Sequence, residues 1–391
     1  MSMKKPTVGV FFGSRSTEHD VSIITAIASV VKPLELAGKY EVIPVYIAKD
    51  GKWYSDEALK DIKLFTSGTI TTWCAKQKPV SLLFENGLKL VKQGRKKREI
   101  HIDIAFPALH GTHGEDGEVM AMFELANIPY VGCGVAASEI AMDKVLAKQV
   151  ALANNIATPK SVYFTKFEFE QDPDAWVTKV NRTLKYPLFV KPAHLGSSIG
   201  ISRVSDPKDL LNAIEVATHY DDRALVEEAV QNLIEVTLPV MGNDEPRPAL
   251  LEKPMTKSED FFDFNTKYMQ GGKKGKGGGK SGEQGAQGYS QVPADLPKAL
   301  YEKAETVGLS VYKALGCSGM ARIDMLIDSK KGEVYYNEVN PLPGSLYSHN
   351  WNKAGVSNVA LVNTLIDLAL ERHQSRENLA TVFDTNYLQQ F

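Results

Sequence analysis

Two hydrophobic rhythms alternate along the first part of the chain. Short apolar runs, "TVGVFFG" (7–13), "YEVIPVYIA" (40–48) and "IHIDIAFPALHG" (100–111), read as strands. Between the first two lies "STEHDVSIITAIASVVKPLELA" (16–37), a helix that Ser16 or Thr17 could cap, with Glu18 and Asp20 in its first turn. Strand, helix, strand predicts a parallel α/β layer with functional loops at the strand ends. "GEVMAMFELANIPYVG" (117–132) continues it with a helix and a strand, and "AASEIAMDKVLAKQVALANN" (136–155) predicts one amphipathic helix.

The rhythm then changes to α+β. Strands are predicted at "SVYFT", "YPLFVKPA", "IGISRV", "RALVEEAV" and "IEVTLPVMG", with a helix near 207–216. "PKALYEKAETVGLSVYKALG" (297–316) is helical, and "MARIDMLID" and "EVYYNEVN" form a hairpin through "SKKG". A last helix is expected around 359–372, and no repeat appears. One stretch obeys neither rhythm. "YMQGGKKGKGGGKSGEQGAQGYSQ" (268–291) is rich in glycine and lysine, and reads either as a linker or as a cover over an active site. It falls between the strands of one α+β region, which weakens the linker reading.

Composition narrows the function class. The 391 residues suit two or three domains, and 43% apolar with 24% charged residues is an ordinary globular balance. A formal charge of −2 gives no basic field for nucleic acid. The three separated cysteines fit a reducing cytoplasm. The N-terminus reads as a first strand and not a signal peptide, and no segment is long enough to span a bilayer.

Three stretches could carry chemistry. In the hairpin, Arg322 and Asp324 share one face of their strand, and Glu338 and Asn340 share one face of theirs. Asp, Glu and Asn are hard oxygen donors suited to Mg²⁺ with phosphates, a solvated face being the alternative. "FVKPAHLGSSIGISRV" ends a strand at Lys191 and continues into a glycine–serine loop able to wrap phosphate oxygens, or into a plain hairpin turn. "FPALHGTHGEDGEV" sets His110 and His113 beside acids at a strand end, a ligand loop or a simple loop cap; zinc lacks the cysteines and a third good ligand. Lys144 alone would read as a surface lysine.

Eight motifs in order, "STEHDVSI", "LHGTHGEDG", "YVGCGVAASEIAMDK", "VKPAHLGSSIGISRV", "FNTKY", "PADLP", "LGCSGMARID" and "NEVNPLPGS", resemble the D-alanine–D-alanine ligases of the ATP-grasp superfamily, from Val8 to about Arg372. The resemblance implies an α/β and α+β chain, an ATP-grasp fold with an N-terminal Rossmann-like parallel-sheet domain. The implied domains are 1–134, 135–228 and 229–391, with an ω-loop at about 261–295 and the Gly/Lys-rich insert at 270–291. It implies ATP-dependent joining of two D-alanines through an acyl phosphate, for peptidoglycan precursors. Other acceptors (D-serine, glycine, D-lactate) or a non-catalytic nucleotide-binding relative are the alternatives.

Roles follow by resemblance. Asp324, Glu338 and Asn340 match the positions holding two Mg²⁺ ions, with Mn²⁺ as the alternative ion. Lys144 and Lys191 match lysines on the ATP phosphates, Lys267 one near the γ-phosphate, and Glu227 a residue at the adenine pocket. Ser197 and Ser198 belong to the phosphate-covering loop. Arg322 and the Gly344 N–H match the groups that steady the acyl phosphate and the oxyanion. Glu18 matches the carboxylate for the first D-alanine's ammonium, His110 the histidine near its other end, and Ser345 and Leu346 the pair at the second substrate's carboxylate. Glu18, Ser197 and Tyr268 match a hydrogen-bonded trio; the tyrosine accompanies amine acceptors. The chain departs from the pattern at Leu233, where the ribose-binding acid is expected, with Glu235 nearby. It departs again in a shortened stretch after Gly344 and in the proline that follows Asn340. Family members are commonly homodimers, with neither nucleic acid nor membrane as partner. The Gly/Lys-rich segment then becomes an insertion in the ω-loop lid.

Overall fold

Thr7–Gly13 forms β1, buried at every position, as a strand covered on both faces must be. It lies between two parallel neighbours, β2 (Glu41–Ile47) and, further on, a strand starting at Ile104. β3 (Trp53–Tyr54) pairs antiparallel with β2 at the sheet edge. β4 (Val80–Phe84), β5 (Leu88–Lys92) and β6 (Arg98–Ile102) make a separate antiparallel meander, and β7 (Ile104–Pro107) returns to β1. These relations come from a computed structural model that describes residues 4–92, 98–196, 198–254, 290–380 and 385–391. Ser197, Lys267, Tyr268 and nearly all of the Gly/Lys-rich insert lie outside the described residues.

The single strand expected over 100–111 is thus two strands in two sheets. The break is Asp103, whose carboxylate accepts the Thr7 N–H at 2.7 Å and so ties the crossing point to the start of β1. The helix after β1 runs as expected through His19–Ile24 and Lys32–Ala37, but its middle, Thr25–Val31, is a π-helical turn. It stops at Gly38, whose φ of 66° lets its N–H return to the Leu34 carbonyl.

The helix expected as one unit over 136–155 is also two, Val135–Met142 and Lys144–Ala153. Asp143 between them is extended, and its carboxylate accepts the Val145 and Leu146 N–H groups at 2.8 and 3.0 Å. A residue that caps a new helix cannot continue the old one.

β8 (Ser161–Thr165), β9 (Leu188–Pro192), β10 (Ser202–Val204) and β11 (Arg223–Glu228) form an antiparallel sheet in the order β10-β9-β11-β8. Helices Pro173–Thr183 and Leu210–Tyr220 contribute Val180, Ile214 and Ala217 to its core. A second antiparallel sheet follows. β12 (Leu233–Met241) pairs with β13 (Arg247–Pro248); β14 (Lys253–Pro254) and β15 (Ser290–Gln291) pair with each other; β16 (Met320–Asp328) and β17 (Glu333–Asn340) complete the order β13-β12-β16-β17.

Helix Lys298–Ala314 and the two helices flanking Asp143 share the core under this sheet. The last helix, Asn358–Glu377, returns to the first sheet, where Leu361, Val362, Leu365 and Ile366 join the core of β1 and β2. No single helix among the described residues is long and apolar enough to cross a membrane.

Candidate active site

The β16–β17 hairpin presents its polar residues on one face. Arg322 lies opposite Asn340 and Asp324 opposite Glu338. Ile323, Met325, Val339 and Tyr336 are buried on the other face. The partner of Met325 is Tyr336 and not Asn337, so Asn337 is a bulged residue, re-aimed toward the neighbouring sheet. There its side-chain oxygen accepts from Lys191 Nζ at 3.3 Å.

Arg322 grips Asp324 with both ends of its fork, Nε to Oδ1 at 3.0 Å and Nη2 to Oδ2 at 2.6 Å, and Thr237 Oγ1 adds a third bond to Oδ1 at 2.8 Å. Burial disfavours the guanidinium charge, but the Asp324 carboxylate outweighs it and holds the group above its ordinary range. Beside this pair, Asn340 Oδ1 is buried and finds no hydrogen-bond partner among the described residues. A buried acceptor of this kind is costly unless something binds it. Two carboxylates and an orphan amide oxygen on one face fit a hard divalent cation.

A cluster of buried lysines lies next to it. Asp143 starts the helix that carries Lys144 and, one turn later, Lys148. Glu227 on β11 is 1% exposed and pairs with both Lys191 and Lys148, the latter at 2.8 Å. Burial would raise the Glu227 carboxyl, but the two ammonium groups bring it down to about 2. Lys144 and Lys148 are pushed below their ordinary values by burial, against the pull of Glu338 and Glu227 respectively. Lys144 Nζ donates to the Leu195 carbonyl at 2.6 Å, at the stem of the glycine–serine loop. That loop turns through Ser198 and Gly200 with φ of 59° and 71°, and a β-carbon at Gly200 would come within 2.8 Å of Pro192. Its stem is held by His194, whose Nδ1 meets Asp221 at 3.0 Å and whose Nε2 faces Asp143 at 3.4 Å. Asp143 and Asp221 raise the imidazole to about 10, so it is charged at neutral pH.

The third group of side chains belongs to the N-terminal layer. The Glu18 N–H donates to Ser16 Oγ at 3.0 Å, which sets the helix start. The Glu18 carboxylate lies between two glycine loops: β-carbons on Gly111 and Gly196 would sit 3.0 and 3.4 Å from Oε2. His110 is buried with Nε2 on Thr25 Oγ1 at 2.9 Å and Nδ1 3.6 Å from Glu115. Burial raises the Glu115 carboxyl, against the pull of His110. Thr25 Oγ1 also accepts the Ser345 N–H at 2.9 Å, so the π-helical turn touches the stretch after Gly344. Leu346 buries its side chain in the N-terminal core and gives its N–H to the Pro343 carbonyl.

The structure therefore gathers Arg322, Asp324, Glu338 and Asn340 on one face, with Lys144, Lys191 and Glu227 beside them. Glu18 reaches the Gly196 loop, and His110 connects through Thr25 to Ser345. Glu235 shares the sheet face of Thr237 and Asp324, two positions along β12, whereas Leu233 is exposed. Sequence reasoning missed Lys148, Thr25 and Thr237, and it marked Glu115 only as one of the acids beside His110. Lys148 had a signal, the four-residue spacing from Lys144 that puts both on one helix face. Thr25 and Thr237 gain meaning only from partners distant in sequence.

Comparison with known proteins agrees along the chain. Residues 7–133 match the family described as D-ala D-ala ligase N-terminus, and residues 150–367 match D-ala D-ala ligase C-terminus. A D-alanine–D-alanine ligase from Acetivibrio thermocellus is 37% identical, covering 94% of this chain and 97% of the relative. One from Chloroherpeton thalassium is 35% identical, covering 96% and 99%. Among solved structures, the D-alanine–D-alanine ligase from Coxiella burnetii superposes with a TM-score of 0.77 at 27% identity, covering 96% of each chain. The VanG D-Ala:D-Ser ligase from Enterococcus faecalis gives 0.76 at 33% identity, covering 94% of this chain and all of the other.

Proposed function

The chain belongs to the D-alanine–D-alanine ligase family, and from that premise we propose that it joins two D-alanines into D-alanyl-D-alanine at the expense of ATP, for peptidoglycan precursors. It has the mixed α/β ATP-grasp architecture of that family. The observation that carries the reading is the shared face of Arg322, Asp324, Glu338 and Asn340, with a buried amide oxygen left unpaired beside an Arg–Asp fork.

The chemistry is the control of like charges. An anionic carboxylate must meet an anionic γ-phosphate, so the site must supply cations without letting water in. Asp324, Glu338 and Asn340 would hold Mg²⁺, which when bound neutralises phosphate charge; two ions, the family's number, suit this donor set. Lys144 and Lys191 would hold the phosphates, and the resemblance assigns Lys267, Ser197 and Ser198 to the same group. By the resemblance, Glu227 is assigned to the adenine base, and Glu235, on the face of Thr237 and Asp324, is the candidate for the ribose.

Glu18 receives the ammonium of the first D-alanine, and His110, fixed by Thr25, sits near its other end. The first D-alanine's carboxylate takes the γ-phosphoryl group to give the acyl phosphate and ADP. The amine of the second then attacks the carbonyl carbon, and phosphate leaves. Asp324 would serve as a cation ligand, while Arg322, now paired with it, would hold the acyl phosphate and the oxyanion together with the Gly344 N–H. The Ser345 hydroxyl holds the second carboxylate on a turn anchored by Leu346. Tyr268 completes the trio with Glu18 and Ser197.

The working units are the three expected domains, 1–134, 135–228 and 229–391, with ATP between the second and third, in a cytoplasmic homodimer. The test is direct. Purified protein with Mg²⁺, ATP and D-alanine should release one ADP per dipeptide, identified by mass. ADP release without dipeptide, or no turnover by folded protein, would overturn the reading.

A further inference from the structure

Ser345, Leu346 and Tyr347 have φ values of 52°, 52° and 50°, three successive non-glycine residues in the left-handed region. Each such residue is strained, and the conformation persists only if its surroundings enforce it. One end of the turn is fixed by Thr25 and the buried Leu346. The other end converges on Glu252, a residue 4% exposed that no motif singled out. Glu252 Oε1 accepts from the Tyr347 hydroxyl at 3.4 Å; Oε2 accepts from Asn350 Nδ2 at 3.0 Å and meets His349 Nε2 at 2.9 Å. Burial opposes the Glu252 charge, but the bonds from His349 and Asn350 prevail and depress its carboxyl.

The backbone of Glu252 is equally engaged. It exchanges both hydrogen bonds with Thr237, at 2.8 and 2.9 Å, and Thr237 is the residue bonded to Asp324. Tyr347 in turn carries the Arg322 guanidinium over its ring, 5.6 Å from the centroid. Glu252 therefore touches the strained turn, the metal-facing strand and, through Tyr347, the catalytic arginine, without reaching the reacting atoms itself.

We propose that Glu252 is a positioning residue for the acceptor: it clamps the 345–347 turn so that the Ser345 hydroxyl and the Arg322 guanidinium keep one geometry for the second amino acid. The inference rests on the ligase reading.

The experiment compares wild type with Glu252→Gln, which keeps the shape and removes the charge, and with His349→Gln. Acyl-phosphate formation is followed by scrambling of the β,γ-bridging oxygen of labelled ATP in the presence of D-alanine, and dipeptide formation separately. In Glu252→Gln the KM of the acceptor D-alanine should rise about tenfold, the scale of one lost charge-assisted hydrogen bond. Scrambling and the KM for ATP should stay near wild type, and His349→Gln should shift the acceptor KM in the same direction by less. An unchanged acceptor KM, or an equal loss in both steps accompanied by a lower melting temperature, would overturn the proposal. Absence of scrambling and dipeptide in wild type would instead sink the ligase reading.

Discussion

Arg322 and Asp324 form a closed fork, and each must be available to other partners during the reaction. Removing the guanidinium in Arg322→Ala should lower kcat by about a thousandfold, as loss of a preorganised oxyanion donor does, while ATP binding stays close to wild type. Steady-state kinetics with a separate nucleotide titration checks this. His194 makes a second prediction. Its folded value of about 10 lies above the ordinary 6.5, so the stability it adds is fully present below pH 6.5 and is lost as pH rises through about 10. Denaturant midpoints of wild type and His194→Gln should differ at pH 7 and converge near pH 10, and a constant gap would contradict it. The candidate metal-facing residues in "MARID" and "NEVN" stood out in sequence because their residue types suit oxygen chemistry at strand spacing. Thr25 and Glu252 were not legible, since each is an ordinary polar residue until a distant partner meets it.

At the scale of elements, the apolar rhythm located the strands of the motif-bearing stretches but missed β3–β5 and β13–β15. It read a strand at 128–132 where only Tyr130 bridges Ala105, and ran through two breaks made by single carboxylates. Asp103 and Asp143 both sit inside continuous patterns, and both break them by satisfying backbone N–H groups that begin a new element. Periodicity registers side-chain burial and is blind to such backbone bonds. The Gly111 loop shows the same close dependence on backbone. Its φ is +69°, and a β-carbon there would lie 2.5 Å from Ser16 Oγ and 3.0 Å from Glu18 Oε2. Gly111→Ala should therefore cost about 1–3 kcal/mol of stability and raise the KM of the first D-alanine by displacing Glu18. Thermal melts with initial rates test this, and a wild-type KM would place Glu18 away from that substrate.

Over the whole molecule, distant segments are tied together by a few residues. Arg372 on the last helix donates to the carbonyls of Tyr130, at 2.8 Å, and Gly132, and to Ser318 Oγ at 2.6 Å, joining the end of the first sheet's domain to the strand that leads into the site. Arg372→Ala should lower stability by about 1–3 kcal/mol through the unpaired polar groups it leaves. Denaturant unfolding reads this out, and a change under half a kilocalorie would remove Arg372 from that role. None of these long-range ties could be read from the chain, because they join residues far apart in sequence. The insert was legible only as composition. Holding its glycines and four lysines in one conformation would cost about 1–2 kcal/mol per residue, which favours a spacer over a part in ATP capture. Replacing 271–288 with a short turn should leave the ligation rate near wild type, and a large loss would give its lysines a part in ATP capture.

The account stands most directly on which amine the site accepts. With Mg²⁺ and ATP, D-alanine and D-serine supplied at equal concentration should yield predominantly D-alanyl-D-alanine by mass, one for each ADP formed. A product pool dominated by D-alanyl-D-serine, or ADP released without any dipeptide, would contradict it.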